Sequence, residues 1–353
     1  MSGNDILRLS DDAPKQNPWQ DDRLGFRPFA ERLSKAILSL GAPNGYVIGL
    51  HGEWGSGKST AINFVKAFLD KYNVEAENEA DRIEILDFQP WIVSGHQDLI
   101  TAFFKVLSEK LPGAKRPGWI DRNLHRIRRG TDPVLDAVAT VAVVIDPSGG
   151  IASKTAAKVA SSSLNGAIDR FLEEPSLQAA YDKLHALLRE KSKRFLVIID
   201  DLDRLQREEI RSIMQMVKTV GRLPNVLYLL SYDRDIVWEA LDQGVAAERN
   251  GPNFGEKIVQ QEIELPRPFK DDLLVMLDSE VAFITGPTPN NARWQIMVQD
   301  GVRRWMRHPR DVQRLANAVK FSWPSLEGEI DPQDLFIMEG LRLFDNQVFD
   351  WIR

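Results

Sequence analysis

The sequence contains no cysteine, and this absence excludes two kinds of site. Without thiols the chain can form neither disulfide bonds nor thiolate-ligated metal centres. Its five histidines do not recur at the paired spacing of metal ligands, so a histidine-based metal centre is not expected either. A chain of 353 residues is long enough to bury a full hydrophobic core without such cross-links.

Long apolar segments and a strong net charge are also missing from the sequence. Residues 137–145 ("AVATVAVVI") are apolar, but a membrane-spanning helix needs about 20 such residues. We interpret this run as a buried or interfacial helix segment and expect no integral membrane insertion. The formal charge of −6 produces no overall attraction to nucleic acid.

The N-terminus lacks the basic and apolar segments of a secretion signal. Residues 1–20 are therefore interpreted as a flexible tail. Together with the missing apolar segments, this predicts a cytoplasmic protein, with peripheral association with a membrane as the alternative.

The stretch "GLHGEWGSGKST", residues 49–60, contains the spacing G-x-x-x-x-G-K-[ST] over residues 52–59. Its glycines allow backbone conformations in which successive N–H groups point at phosphate oxygens. Lys58 would bring a positive charge to the β and γ phosphates of a nucleotide, and the Ser59 hydroxyl would ligate Mg²⁺. The predicted nucleotide-binding residues are Gly52, Glu53, Trp54, Gly55, Ser56, Gly57, Lys58, Ser59 and Thr60.

The residues around this stretch fit a loop between a strand and a helix. "YVIGL" before it is an apolar run typical of a buried parallel strand. Ile62, Val65 and Leu69 after it recur at helical spacing, which places the loop at a helix N-terminus, where anions are favoured. This context favours a phosphate site over an accidental glycine-rich turn.

A carboxylate for the metal is found in "RFLVIIDDLDR", residues 194–204. The apolar residues predict a buried parallel strand, whose carboxyl end delivers Asp200 and Asp201 to the ligand-binding edge of an open α/β sheet. Asp200 is the predicted Mg²⁺ ligand, directly or through water. Asp201 is the predicted catalytic residue that orients or deprotonates the attacking water. The alternative is an Asp pair that caps the following helix.

Strands and helices alternate along the rest of the chain. Residues 83–88 ("IEILDF") and 225–231 ("NVLYLLS") are further predicted strands, each followed by a helical pattern. This alternation predicts an α/β fold built on a three-layer parallel sheet. Ser231 and Asp233 end the fourth strand, where they would either sense a γ-phosphate or solvate the strand end and cap the next helix.

The order of these motifs resembles the KAP family of P-loop NTPases, a group near the STAND and AAA-like ATPases. The resemblance covers residues 21–350, and Trp54 within the loop and the pair Pro90 and Trp91 make it more specific. The segments that carry it are "DRLGFRPFAERLSKAI", "GEWGSGKST", "FQPWIVSGHQDLITAFF", "VIIDDLDRL", "YLLSYDRDIV" and "RHPRDVQRL".

The resemblance implies ATP hydrolysis with Mg²⁺ and a helical lid after the sheet. Arg310 in "HPRDVQRL" is similar to a lid arginine that reaches the γ-phosphate; the alternative is an amphipathic surface helix with solvated arginines. The resemblance also implies that residues 24–29 lie near the adenine. Anti-phage or exclusion functions are frequent in the family, so a defence role is expected on this basis.

We divide the chain into a P-loop NTPase core at residues 21–265 and a C-terminal helical region at residues 266–353. A helical insertion at residues 111–180 interrupts the core. Many family members carry transmembrane helices there, whereas this chain has only the short apolar run, which predicts a soluble version. Residues 115–129 ("KRPGWIDRNLHRIRR") are basic and are either a solvated face, a nucleic-acid contact or a contact with an anionic membrane surface.

The leading hypothesis is an ATPase whose hydrolysis cycle switches or drives a larger assembly. A protein partner or a homo-oligomer is therefore expected. In relatives of this class an arginine from a neighbouring subunit completes the site, and Arg204 and Arg234 are the candidates here. The alternatives are a nucleotide-gated scaffold with little turnover and a DNA-stimulated motor ATPase.

Overall fold

Five parallel strands form a sheet at the centre of the structure. The computed structural model describes residues 9, 13–90, 96–110, 177–190, 193–242, 254–285 and 292–353. Across the sheet the strand order is β2-β3-β4-β1-β5, so β4 lies between β1 and β3. The strands are β1 Tyr46–His51, β2 Ile83–Asp87, β3 Arg194–Ile199, β4 Val226–Tyr232 and β5 Gln261–Glu264.

Helices precede, connect and follow the strands. Those of the sheet region are α1 Arg27–Ser39, α2 Lys58–Glu75, α3 His96–Glu109, α4 Leu177–Glu190, α5 Arg207–Val220 and α6 Arg234–Asp242. Those that follow β5 are α7 Lys270–Thr285, α8 Ala292–Ile296, α9 Pro309–Leu326, α10 Pro332–Phe344 and α11 Asn346–Ile352.

The central strands carry apolar side chains on both faces. Along β3, Leu196 and Ile198 belong to a buried cluster with α1 and α2. Phe195 and Val197 belong to a second cluster with α3, α4, α5 and α6. Because successive side chains of a strand point to opposite faces, one helical layer covers each side of the sheet. The three-layer α/β architecture predicted from the sequence is confirmed.

The helices after β5 have a hydrophobic core of their own. Leu277 of α7, Leu315 of α9 and Phe336 of α10 are buried together in a third cluster. Pro266 follows the end of β5 by two residues, as expected for a residue that cannot continue the strand's hydrogen bonding. The division of the chain at residue 265 stays a prediction, although the separate core is in keeping with it.

The structure bears on only part of the other sequence predictions. The predicted strands at residues 46–50, 83–88, 195–199 and 225–231 are observed, and each end lies within one residue of its predicted position. The apolar run 137–145, the basic stretch 115–129 and most of the predicted insertion lie outside the described residues. Of the helices in the described ranges, none is both long and apolar enough to cross a bilayer.

Part of the predicted N-terminal tail is packed against α2. The backbone N–H of Lys15 donates to Thr60 Oγ1 at 3.2 Å, and Asn63 Nδ2 donates to the Lys15 carbonyl at 3.2 Å. The Trp19 ring lies 5.3 Å from the Phe68 ring, centroid to centroid. Residues 13–20 therefore run along the start of the helix that follows the glycine-rich loop, and this arrangement differs from the flexible tail expected for residues 1–20.

We predict that Gly45→Ala destabilises the fold much more than Gly25→Ala. Both glycines have positive φ angles, +71° and +73°, so each substitution costs roughly 1–2 kcal/mol of backbone strain. A Cβ at residue 45 would lie 2.1 Å from the carbonyl oxygen of Gly221, which ends α5, whereas nothing lies within 4 Å of one at residue 25. Gly45→Ala should therefore lower the free energy of unfolding by about 2 kcal/mol more, measured by chemical denaturation. Equal losses of unfolding free energy for the two variants would contradict the close approach of Gly45, just before β1, to the end of α5.

Candidate functional site

The glycine-rich loop joins β1 to α2 and has the backbone its sequence requires. Gly55 and Gly57 have φ angles of 81° and 104°, which side chains with a Cβ rarely adopt. A Cβ at Gly57 would lie 2.7 Å from the Phe26 ring, and one at Gly55 would lie 3.0 Å from Arg310 Cβ. Glycine at these two positions therefore serves both the turn and the close packing of α1 and α9 around the loop.

Lys58 is the first residue of α2, and its side chain is 6% exposed. Its ammonium group donates to the carbonyls of Gly52 at 2.8 Å and Glu53 at 3.3 Å. It also forms an ion pair with Asp203 Oδ2 at 3.3 Å. The lysine is thus folded back on its own loop and across to the segment that follows β3.

Asp203 is a site residue that the sequence reasoning missed. Its side chain is 1% exposed, and it lies in the short turn Leu202–Arg204 after β3. The signal was present, since "DDLDR" has a third acidic residue. That residue could not be assigned to Lys58 from local pattern, because the contact joins residues 145 positions apart.

Asp200 and Asp201 follow β3 directly, as predicted, and make different contacts. Asp200 Oδ1 accepts from the backbone N–H of Asp201 at 2.9 Å. Asp201 Oδ1 pairs with Arg204 Nε at 2.9 Å, and the backbone of Asp201 is left-handed, with φ 58°. The alternative of an Asp pair capping the next helix does not describe this arrangement, because α5 is capped by Gln206 with Glu209.

The environment of Asp201 favours its protonated form. Burial raises the pKa of its carboxyl above the ordinary range, and the nearby charge of Asp200 raises the pKa further. Arg204 lowers the pKa but does not cancel these effects. The carboxyl of Asp201 is consequently a better proton acceptor than an ordinary aspartate when it is ionised.

A cavity of about 270 Å³ brings most of the predicted site residues together. Its lining also contains Lys15 from the N-terminal segment, Phe26 just before α1, and Met276 from α7. The predicted site residues on its wall are Trp54, Gly55, Gly57, Lys58, Ser59, Thr60, Asp201 and Arg310. Those that do not line it are Gly52, Glu53, Ser56 and Asp200.

Arg310 lies on the cavity wall and stacks on the loop. Its guanidinium carbon is 3.9 Å from the centroid of the Trp54 ring, a short cation–π contact. Trp54 is 52% exposed, so the stack forms at the outer edge of the loop. The predicted contact of Arg310 with a γ-phosphate stays a prediction, and the amphipathic alternative also describes α9, which buries Val312 and Leu315.

Glu53, beside Trp54, links the loop to the region after β5. Its carboxylate lies 3.0 Å from His308 Nε2, just before α9, and 3.3 Å from Arg267. Together with the Trp54 stack, these contacts join the tip of the glycine-rich loop to the start of α9.

The remaining candidates occupy separate positions. Ser231 lies on β4 opposite Leu50 of β1 and is fully buried. Asp233 accepts from the backbone N–H of Asp235 at 3.2 Å, which matches the helix-cap interpretation.

The two candidate arginines make different contacts. Arg204 lies on the wall of the same cavity and pairs with Asp201, whereas Arg234 pairs with Glu262 of β5 at 3.2 Å. Their roles at a neighbouring subunit stay predictions.

The residues present fit a nucleoside triphosphate with a divalent cation. Gly55 and Gly57 give the loop its positive φ angles, and Lys58 and Ser59 line the cavity beside them. The backbone N–H groups of such a loop and the ammonium group of a lysine are groups that bind phosphate. A hydroxyl from Ser59 and a carboxylate from Asp200 are the oxygen ligands that Mg²⁺ takes alongside phosphate and water.

The family model described as the KAP family P-loop domain matches residues 26–324. The chain belongs to the KAP family of P-loop NTPases. The matched range includes the glycine-rich loop, the Asp200–Asp201 pair and Arg310. The resemblance drawn from the sequence motifs is therefore confirmed.

One relative and two solved structures that match this KAP-family chain share low sequence identity with it. The phage T7 exclusion protein of Escherichia coli (strain K12) is 24% identical over 347 residues, which covers 94% of this chain and 46% of that protein. The chain thus spans about half the length of this relative. The ORC2 protein of Aeropyrum pernix matches with a TM-score of 0.41 and 13% identity, covering 91% of this chain and 68% of that one. The Drosophila ORC bound to DNA matches with a TM-score of 0.48 and 10% identity, covering 97% and 69%.

We predict that Asp201→Asn raises the thermal unfolding midpoint of the nucleotide-free chain at neutral pH. Because burial raises the folded-state pKa of Asp201, its stabilising contribution is complete only below its ordinary pKa and is lost as the pH rises through the raised value. The gain from asparagine should therefore be largest where the folded-state carboxyl is ionised, and it should shrink as the pH falls through the raised pKa towards the ordinary value of 3.8, in a series of thermal unfolding curves.

The matched control is Asp233→Asn, which removes a carboxylate after the neighbouring strand while keeping a side chain that can cap α6. Little change in midpoint is expected for this control. A lower midpoint for Asp201→Asn at every pH would mean that the bond to Arg204 outweighs the burial of the carboxylate.

Proposed function

We propose that this chain binds ATP with Mg²⁺ and hydrolyses it, and that the cycle switches or drives a larger assembly. The observation that carries this proposal is the cavity that joins Lys58, Ser59 and Thr60 of the loop to Asp201 after β3. Membership of a P-loop NTPase family supports the same chemistry. ATP is taken as the nucleotide on the strength of the family resemblance.

Each site residue has a role that follows from its chemistry. Lys58 balances charge on the β and γ phosphates, and the backbone N–H groups of the loop cradle them. Ser59 and Asp200 hold Mg²⁺, which neutralises phosphate charge when it is bound. Arg310 adds a positive charge at the γ-phosphate after leaving the Trp54 ring.

Asp201 receives the proton of the attacking water. The water oxygen bonds to the γ-phosphorus as the bond from that phosphorus to the bridging oxygen of ADP breaks, and ADP and phosphate result. The raised pKa of Asp201 supports its role as the acceptor, because a stronger base takes the proton more readily. Of residues 24–29, Leu24 and Phe26 line the cavity, and these two would contact the adenine.

The assembly that this cycle serves is proposed to act in anti-phage defence. Support comes from the relative named a phage T7 exclusion protein, of which this chain spans 46%. A protein partner or a second copy of the chain would receive the conformational change, through α9 and the contacts of Glu53.

A nucleotide-gated scaffold is the second candidate, and one observation favours it. Lys58, Arg204 and Arg310 are all engaged with groups of the protein itself. Binding alone would break these contacts, and so would shift the conformation without turnover.

Steady-state phosphate release with Mg²⁺ should separate the two functions. We expect Lys58→Ala to abolish turnover and weaken ATP binding, because it removes the phosphate-binding charge. Asp201→Asn should retain ATP binding, measured by calorimetry, and lower kcat at least about 100-fold, since it removes the proton acceptor. Tight ATP binding by the wild-type chain without turnover would reject the hydrolase and leave the scaffold.

The same assay with double-stranded DNA tests the motor alternative. Residues 115–129 lie outside the described residues, so this alternative rests on their sequence. A DNA-stimulated motor requires faster hydrolysis with DNA, and loss of the stimulation when Arg126, Arg128 and Arg129 are changed to Gln. Hydrolysis that is unchanged by DNA would reject it.

A further inference from the structure

The ion pair between Lys58 and Asp203 is almost fully removed from solvent. The two side chains are 6% and 1% exposed, and the ammonium nitrogen lies 3.3 Å from Oδ2. In such surroundings the attraction between opposite charges is strong, and leaving one partner unpaired is costly. The other acceptors of Lys58, the carbonyls of Gly52 and Glu53, carry no net charge.

The carboxylate of Asp203 is held in place independently of the lysine. Leu202 beside it is fully buried, and the N–H of Arg204 donates to the Asp201 carbonyl at 3.1 Å, which fixes the turn after β3. Lys58, in contrast, has a long side chain with several rotatable bonds. If the lysine turns toward bound phosphates, the carboxylate of Asp203 therefore keeps its position.

The three carboxylates after β3 have separate partners. Asp200 accepts from the N–H of Asp201, and Asp201 pairs with Arg204 on the cavity wall. Asp203 contacts Lys58 but does not line the cavity, so it lies on the side of the lysine away from the cavity. Its second oxygen, Oδ1, is buried without a hydrogen-bond partner among the described residues.

We propose that Asp203 is a positioning residue that sets the affinity of the site for nucleotide by competing with the phosphates for Lys58. It holds the lysine against the loop in the nucleotide-free chain, and binding transfers the lysine from a carboxylate to a phosphate. The loss of the buried ion pair offsets part of the binding free energy that Lys58 gains from the phosphates. This inference rests on the proposed nucleotide binding and goes beyond it, because it assigns a residue outside the cavity wall.

A double-mutant cycle on the full chain tests the competition. ATP binding is measured by calorimetry with a chelator and no Mg²⁺, so that metal coordination does not contribute. Asp203→Asn is expected to tighten ATP binding about tenfold where Lys58 is present, a coupling usual for side chains in contact. In a Lys58→Ala background the same change should have little effect, because the group in competition is gone.

Two controls separate this role from a general effect of charge or folding. Asp235→Asn removes an exposed negative charge from the first turn of α6 without touching Lys58, and should leave ATP affinity within about twofold of wild type, as expected for distant sites. Asp203→Ser also removes the carboxylate but leaves a side chain of a different shape, and it should reproduce the gain in ATP affinity. Thermal unfolding identifies any variant that fails to fold, and the remaining Asp203 variant then decides.

Unchanged or weaker ATP binding by both Asp203 variants overturns the inference, and so does an equal gain in the Lys58→Ala background. If the wild-type chain binds ATP in these cases, the proposed function survives. If neither the wild-type chain nor the Asp203 variants bind ATP, with or without Mg²⁺, the proposed function fails along with the inference.

Discussion

The parallel hydrogen bonding of β3, β4 and β1 is the constraint on which the site depends. It aligns the carboxyl ends of the three strands, so the loop after β1 and the acidic turn after β3 meet at one edge although 145 residues separate Lys58 from Asp203. The strands can be buried between two helical layers because they are apolar on both faces. The contact between Lys58 and Asp203 depends on that alignment.

Three of the positive side chains on the cavity wall contact protein partners of different kinds. Lys58 pairs with a buried carboxylate, Arg204 with a half-buried one, and Arg310 with an exposed aromatic ring. Under the proposed function, nucleotide binding would exchange these protein partners for phosphate, and the contacts given up would reduce the affinity gained at phosphate. The reduction would increase with the burial of the contact, and it would be greatest at Lys58.

Local pattern was sufficient for the strands, the loop and the Asp200–Asp201 pair, because each depends on periodicity or spacing within about twenty residues. The pairing of Lys58 with Asp203 and the Trp54–Arg310 stack were missed, since both join segments far apart in the chain. Packing of residues 13–20 on α2 was missed for a related reason. Its polar, proline-containing sequence has no periodic signal, and the segment is held by the ring contact of Trp19 and the backbone hydrogen bonds of Lys15.

Through the contacts of Glu53 and Trp54, a rotation at the start of α9 would follow a movement of the loop tip. Both residues are at the tip of the loop, and both touch the first residues of the helix or the one just before it, His308 and Arg310. A helix of 18 residues spans about 27 Å, so a rotation of about 10° at its start moves its far end by about 5 Å. An ångström-scale rearrangement around the phosphates would thus arrive at Leu326 as a displacement comparable to one helical turn.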